Sequence, residues 1–412
     1  MKILQIDKFY FVKGGVERYM FELTDILQSY EHEVIPFSMK HEQNLKTEYD
    51  DYFVENINFN IPALTQKIVN IPKITSRLFY SFEAKRKLER LIEDTKPDIA
   101  HIHMIDHQIS PSILHTLKKC KIPILQTVHH YKLVCPNYRL YIDQKGCICE
   151  KCLTGNYYHA VLEKCHKNSY SASLLVCLET YFHKMLKIYE NNIDLFHVPS
   201  KFIGRKIAQA GISEKKIEHL FLTIKMEDFP FSPDFDNYFV SYGRLSNEKG
   251  FPVLLDAMKK IKNAQLIVIG DGPQRPELEK IKAENDLANV EFVGSKDRDE
   301  LISIIAKSKF VVLPSQWYEN SPLVIYESFA LGKPVIGADI GGIPEFINPG
   351  EDGLLFEAGN AEELSEKIHI LLEDSAKIKS FGARAREKAE REFAPEKHYK
   401  KIMKIYQGLV NH

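Results

Sequence analysis

Two doubly wound α/β domains are what this sequence predicts, on three observations. The chain has 412 residues, more than one hydrophobic core ordinarily serves. Short apolar runs alternate with amphipathic stretches of helical spacing, the pattern of parallel sheets covered on both faces. That rhythm breaks across LTIKMEDFPFSPDFDN (222–237), where two prolines and several acids read as a linker.

In the first series, KILQID (2–7) reads as a buried strand. VERYMFELTDILQSY (16–30) reads as a helix through Tyr19, Leu23, Ile26 and Leu27. HEVIPFSM is a strand, SFEAKRKLERLIEDTK a charged helix ended by Pro97, and DIAHIHM and IPILQTVH are strands. An irregular insertion covers about 131–168; a helix over SLLVCLETYFHKMLKIYE (173–190) and the strand DLFHVPS follow. The second series runs through YFVSYG, AQLIVIG, VEFVG, KFVVLPS, PVIGAD and GLLFEA. The expected boundaries are 1–225 and 226–390, with a last helix in 391–412 packing back on the first domain. Ligands of such sheets sit beyond the strand C-termini, so the interdomain cleft is the expected site.

Composition narrows the function classes. Lys and Arg number 55 against 56 Asp and Glu, which excludes nucleic-acid binding driven by bulk charge. MKILQIDKFY lacks the apolar core of a signal peptide, and no run approaches the roughly eighteen apolar residues of a membrane span. Seven cysteines, an odd count, fit a reducing cytoplasm better than a disulfide framework.

The densest chemistry lies in WYENSPLVIYESFALGKPVIGADIGGIPE. After the strand KFVVLPS comes a loop, then Ser321 as N-cap and Pro322 as first residue of a helix ending at Gly332. The free N–H groups near Leu323 and Val324 make an anion site. Glu319 stands before it and Glu327 inside the helix. Carboxylates flanking a phosphate-sized site suit a ligand with hydroxyls on both sides of its phosphates; a nucleotide sugar is one. Ordinary helix surface acids are the plain alternative. Gly341-Gly342 before Ile343-Pro344-Glu345 reads as a second glycine turn that lets amides approach an anion, or as a plain strand-to-helix turn. Arg244 and Lys249 in GRLSNEKG can converge on a diphosphate, or be solvated charges. Gly270 and Gly272 in VIGDGPQRPELE mark another strand end. Gly14-Gly15 follows the first strand but is not GxGxxG, so the dinucleotide fingerprint is absent.

Taken together and in this order, these pieces resemble glycosyltransferase family 4, and the resemblance covers nearly the whole chain. It implies the GT-B fold, two Rossmann-like domains facing a cleft. It implies Arg244 and Lys249 on the donor diphosphate, Glu327 on the ribose and Glu319 on the transferred sugar. Ser321 and the amides of Leu323 and Val324 would serve the phosphates, and Gly14-Gly15 would approach the donor phosphate or the acceptor. Gly270 to Gly272 with Val293-Gly294 would line the base pocket. His129, ending ILQTVHHYK, matches the family's active-site histidine facing the sugar; a strand-capping role is the alternative. His130 stands where the family commonly has Asp, a departure. His101 and His103 share one strand face and read as packing near the cleft.

The implied chemistry is retaining and metal-independent, of hexosyltransferase type, with no cofactor beyond the nucleotide-sugar co-substrate. The implied acceptor is a glycan or lipid-linked precursor of a surface polysaccharide or glycolipid. A nucleotide-sugar epimerase of the same fold and a non-catalytic binder stay open.

Two segments stand outside that pattern. Cys149 and Cys152 have zinc-knuckle spacing, and Cys135 and Cys165 complete a candidate structural zinc set, leaving Cys147 spare. Reduced thiols or a redox-sensitive loop is the alternative. Cys120 and Cys177 read as core or helix residues. Between 61 and 96, Lys67, Lys73, Arg77, Lys85, Arg86, Lys87 and Arg90 interleave with Ile68, Val69, Ile71, Leu78 and Phe79. This suits peripheral contact with an anionic membrane face presenting the acceptor. A solvated face balanced by Glu83, Glu89, Glu93 and Asp94 is the alternative.

Overall fold

The structure, a computed structural model, describes residues 1–57 and 76–411. In the first half, β1 (Lys2–Ile6), β2 (Glu33–Phe37), β3 (Ile99–Ile102), β4 (Ile124–Thr127), β7 (Leu195–Val198) and β8 (Ile217–His219) form a parallel sheet ordered β2-β1-β3-β4-β7-β8. β5 (Tyr141–Ile142) and β6 (Cys147–Ile148) make a small antiparallel ribbon inside the cysteine-rich insertion. In the second half, β9 (Tyr238–Tyr242), β10 (Gln265–Ile269), β11 (Val290–Gly294), β12 (Val311–Leu313), β13 (Val335–Ala338) and β14 (Gly353–Phe356) form a parallel sheet ordered β11-β10-β9-β12-β13-β14. Each sheet therefore has a switch point, at β1/β3 and at β9/β12, where a crevice opens beyond the strand ends.

The helices follow from local chemistry. Ser81 caps the helix Phe82–Thr95 by accepting from the Ala84 N–H, and Lys96, left-handed at φ 51, ends it before Pro97. The helix Gly15–Ser29 buries Tyr19, Leu23 and Leu27, as its spacing predicts. One prediction was too long: the segment 173–190 is a helix Tyr170–Met185 and a short helix Ile188–Asn192, broken at Lys187, whose φ is 47. Periodicity carries through that break because both pieces bury apolar residues.

The core joins both halves. Tyr19, Leu23 and Leu27 pack in one cluster with Tyr326, Phe329, Phe346, Phe393 and Tyr406. The helix Pro395–Val410 packs on the helix Gly15–Ser29 and on β3. There Tyr399 stacks on Tyr30 with centroids 3.7 Å apart, and Tyr406 bonds His101 at 2.6 Å. The second half thus sends its last helix across to the first sheet.

Of the basic segment, Lys67, Lys73, Ile68, Val69 and Ile71 lie outside the described residues. Arg77 is turned inward, 3% exposed, donating to the Gln108 and Glu55 carbonyls and pairing with Glu83. Lys87 donates to the Phe53 carbonyl. Arg77 is thus withdrawn from the surface, and Lys87 is partly buried in contacts within the domain. Among the described residues no helix is long and apolar enough to cross a membrane.

Candidate functional site

A cavity of about 570 Å³ lies between the two halves. The first half lines it with Gly14, Gly15, Arg18 and His129, the second with Lys249, Trp317, Glu319, Ser321, Leu323, Val324 and Glu327. Glu319 follows β12 on a loop. Its carboxylate, 7% exposed, accepts from Lys249 at 2.6 Å and from the Ser315 hydroxyl at 2.8 Å. Burial opposes its charge, but the Lys249 ammonium and these bonds outweigh that and hold the carboxyl below its ordinary value. Lys249 ends the short turn Asn247–Lys249, and Gly250 explains why the turn sits there. At φ 73, a Cβ on Gly250 would stand 1.8 Å from the Pro314 carbonyl oxygen. Only glycine lets the Lys249 turn lie against the end of β12.

Glu327 is in the helix Leu323–Ala330 with its side chain 6% exposed. Tyr242 donates to one oxygen at 2.9 Å, and Arg18 from the first half pairs with the other. Sequence reading missed both partners. A signal for Arg18 existed: it stands in the first turn of the helix Gly15–Ser29, where the macrodipole disfavours a cation.

Some expected roles shift. Ser321 does not cap the helix: Pro322 occupies the cap, and the Ser321 hydroxyl bonds the Tyr326 hydroxyl at 2.8 Å. In the second glycine turn one of the two amides is taken by the chain itself. The Gly342 N–H donates to the Glu319 carbonyl at 2.7 Å, and a Cβ on Gly342 would meet the Asn320 oxygen at 2.1 Å. The pair cradles the loop bearing Glu319. Gly15 packs against Leu323, which a Cβ would reach at 3.0 Å, so its smallness brings the two halves together.

Arg244 is exposed and lines a smaller adjoining cavity of about 220 Å³ with Gly270, Asp271, Ser295 and Lys296. Tyr242, Gly243 and Leu301 line both cavities. Gly270, at φ 135, lets β10 end against Gly243, whose oxygen a Cβ would meet at 1.9 Å; Gly272 likewise clears the Leu245 carbonyl. Val293 and Gly294 are absent from this lining, and the next residues, Ser295 and Lys296, face it instead.

His129 lies beyond β4. Asn320 donates to the Val128 and His129 carbonyls, tying the two halves together beside it. Its Nε2 is 3.2 Å from His103 Nδ1, and burial, then His103, lowers its pKa well below the ordinary value, so the ring is neutral. Beneath it a chain of bonds runs from Tyr406 through His101, Thr127 and His197 to the Leu220 carbonyl. His130 is not in the cavity lining; its Nε2 pairs with Asp106 at 2.6 Å.

All seven cysteines are free. Among the described residues no group of three or more His, Cys, Asp or Glu could hold a metal ion, against the expected set of Cys135, Cys149, Cys152 and Cys165. Cys152 instead packs with Tyr157, Ala160 and Cys177, and burial pushes the Cys165 thiol up to about 12. The buried Cys135, Cys152 and Cys177 act as small apolar groups, while Cys120 and Cys147 are exposed.

Comparisons with known proteins bear on both halves. Residues 13–221 match the model of Glycosyltransferase Family 4, and residues 225–388 that of Glycosyl transferases group 1. The uncharacterised glycosyltransferase MJ1178 of Methanocaldococcus jannaschii is 34% identical over 173 residues, 42% of this chain and 48% of that protein. The sulfoquinovosyl transferase SQD2 of Arabidopsis thaliana is 29% identical over 225 residues, 50% and 43% of the two chains. The chain thus spans about half the length of these curated relatives. Among solved structures, sucrose-phosphate synthase from Thermosynechococcus elongatus superposes with TM-score 0.71 at 20% identity, covering 100% of this chain and 99% of that one. Anabaena HepE, in complex with UDP and glucose, superposes with TM-score 0.68 at 18% identity over 99% and 100%. The fold is GT-B, and the chain belongs to glycosyltransferase family 4.

Proposed function

We propose that this chain is a retaining glycosyltransferase of hexosyl type. It moves a sugar from a nucleoside-diphosphate donor to a glycan or lipid-linked acceptor in the making of a surface polysaccharide or glycolipid. The observation that carries this reading is the interdomain cavity, where two carboxylates, two cations and a helix N-terminus converge. HepE, of the same fold, was solved with UDP and glucose.

Arg244, Lys249 and the free amides at Leu323 and Val324 take the diphosphate, by charge-assisted bonds and the helix dipole. They stabilise the leaving group without a metal ion. Glu327 accepts from the ribose hydroxyls, and Glu319 and the neutral His129 hold the transferred sugar. The adjoining cavity beside Gly270 takes the base. The bond from the anomeric carbon to the phosphate oxygen breaks, and the acceptor oxygen bonds that carbon on the same face. The departing phosphate oxygen receives the acceptor's proton, so the configuration is kept. Residues 1–225 form the acceptor side and 226–390 the donor side, working in the cytoplasm. Lys85, Arg86 and Arg90 are the described cations left for a peripheral membrane contact.

The test is incubation with UDP-, GDP- and ADP-hexoses, with and without glycan or lipid-linked acceptors. Expected is release of nucleoside diphosphate with the sugar transferred in its original anomeric configuration, lost in folded Glu319→Ala and Lys249→Ala. An isomerised donor formed without acceptor would favour an epimerase. Binding without release from any donor would leave a non-catalytic binder.

A further inference from the structure

The two carboxylates of the cavity are each matched by one cation, and the cations come from opposite halves of the chain. Lys249 of the second half pairs with Glu319, and Arg18 of the first half pairs with Glu327. Among the described lining residues these are the two permanently charged cations. The paired charges lining the cavity therefore balance. A diphosphate brings about two to three negative charges into it, which Arg244 of the adjoining cavity and the helix amides offset in part, so a cation released from its carboxylate would add to its hold.

Arg18 is placed for that rearrangement. Its side chain is 29% exposed, while that of Glu327 is 6% exposed and keeps a second bond from Tyr242. Its helix starts at Gly15, which rests on Leu323, and the guanidinium, held at Glu327, lines the same cavity about one turn from the N-terminus of the helix Leu323–Ala330. That is where the donor's phosphates lie in the reading above, on which this inference rests. We propose that Arg18 is a donor-binding residue supplied by the first domain. It leaves Glu327 for the diphosphate as the ribose hydroxyls take its place on that carboxylate. A planar fork serves this exchange, because it bonds a phosphate as well as a carboxylate in two-point fashion.

The test is calorimetry of UDP against UMP, GDP against GMP and ADP against AMP, with wild type, Arg18→Ala and Arg18→Gln. For the pair that binds, the preference for the diphosphate falls about ten-fold or more in the variants, the worth of one charge-assisted bond. Monophosphate affinity stays within about three-fold of wild type. Arg18→Gln keeps the side-chain bulk should Arg18→Ala fail to fold. An unchanged preference, or equal tightening of both ligands, would show that Arg18 only occupies Glu327 and would overturn the inference alone. Wild type that binds no pair would overturn the donor reading along with it.

Discussion

Replacing Lys249 by alanine isolates the physics of the cavity in one side chain. The wild-type pair has its charges 2.6 Å apart, with side-chain exposures of 25% for Lys249 and 7% for Glu319. At an effective dielectric near 20 the gross attraction is about 6 kcal/mol. Desolvation and the partial exposure of Lys249 offset roughly half, so the variant loses about 2–3 kcal/mol at neutral pH. The sign with pH follows from the carboxyl. In the wild type its pKa is below the ordinary 4.5, so its contribution is present above 4.5 and lost as pH falls through the folded value. In the variant burial remains and the ammonium is gone, so the folded carboxyl rises above the ordinary value and protonation relieves it. Scanning calorimetry of wild type and Lys249→Ala at pH 7.5 and pH 5 reads this. The melting temperature falls by roughly 2–4 °C at pH 7.5, and by clearly less at pH 5. Lys249→Ala with Glu319→Gln recovers most of the loss, as contacting partners do in a double-mutant cycle. A loss of equal size at both pH values, or none, would mean that the pair contributes packing alone.

Other expectations follow from neighbouring residues. Burial raises the Glu22 carboxyl to about 7 against the opposing pull of Arg298 and Arg18, so its favourable share is complete below 4.5 and disappears as pH rises through 7. Glu22→Gln therefore melts above wild type at pH 8 and level with it at pH 5; a difference that does not vary with pH would refute the assignment. Gly342→Ala puts a Cβ 2.1 Å from the Asn320 oxygen, displaces the Glu319 loop and costs about 1–3 kcal/mol, read by denaturant unfolding. Protein purified without chelator carries no stoichiometric zinc by elemental analysis; one zinc per chain would restore the cysteine set.

The alternation of strands and helices was legible because strands buried on both faces must be apolar. The end of β10 was legible because Gly270 and Gly272 stand where backbones touch. Glu319 and Glu327 could be marked from their spacing about one helix start, and Lys249 from its place beside Arg244 in a loop after another strand. Their partners could not, because Arg18 lies 309 positions from Glu327 and no local pattern joins them. The Gly341-Gly342 turn stayed ambiguous for a related reason. Glycine marks a close approach, but the sequence does not say whether a ligand or the chain's own Glu319 loop makes it. CxxC spacing likewise gives a distance along the chain and not the burial that turns Cys152 toward Tyr157.

The account turns on anion recognition in the cleft. Titration calorimetry of the wild-type chain with UDP, GDP and ADP at low ionic strength asks for it without a known acceptor. One of the three should bind at one per chain, weaken as salt is added, and weaken further in Arg244→Ala. No heat from any of them, nor from their hexose conjugates, would contradict it.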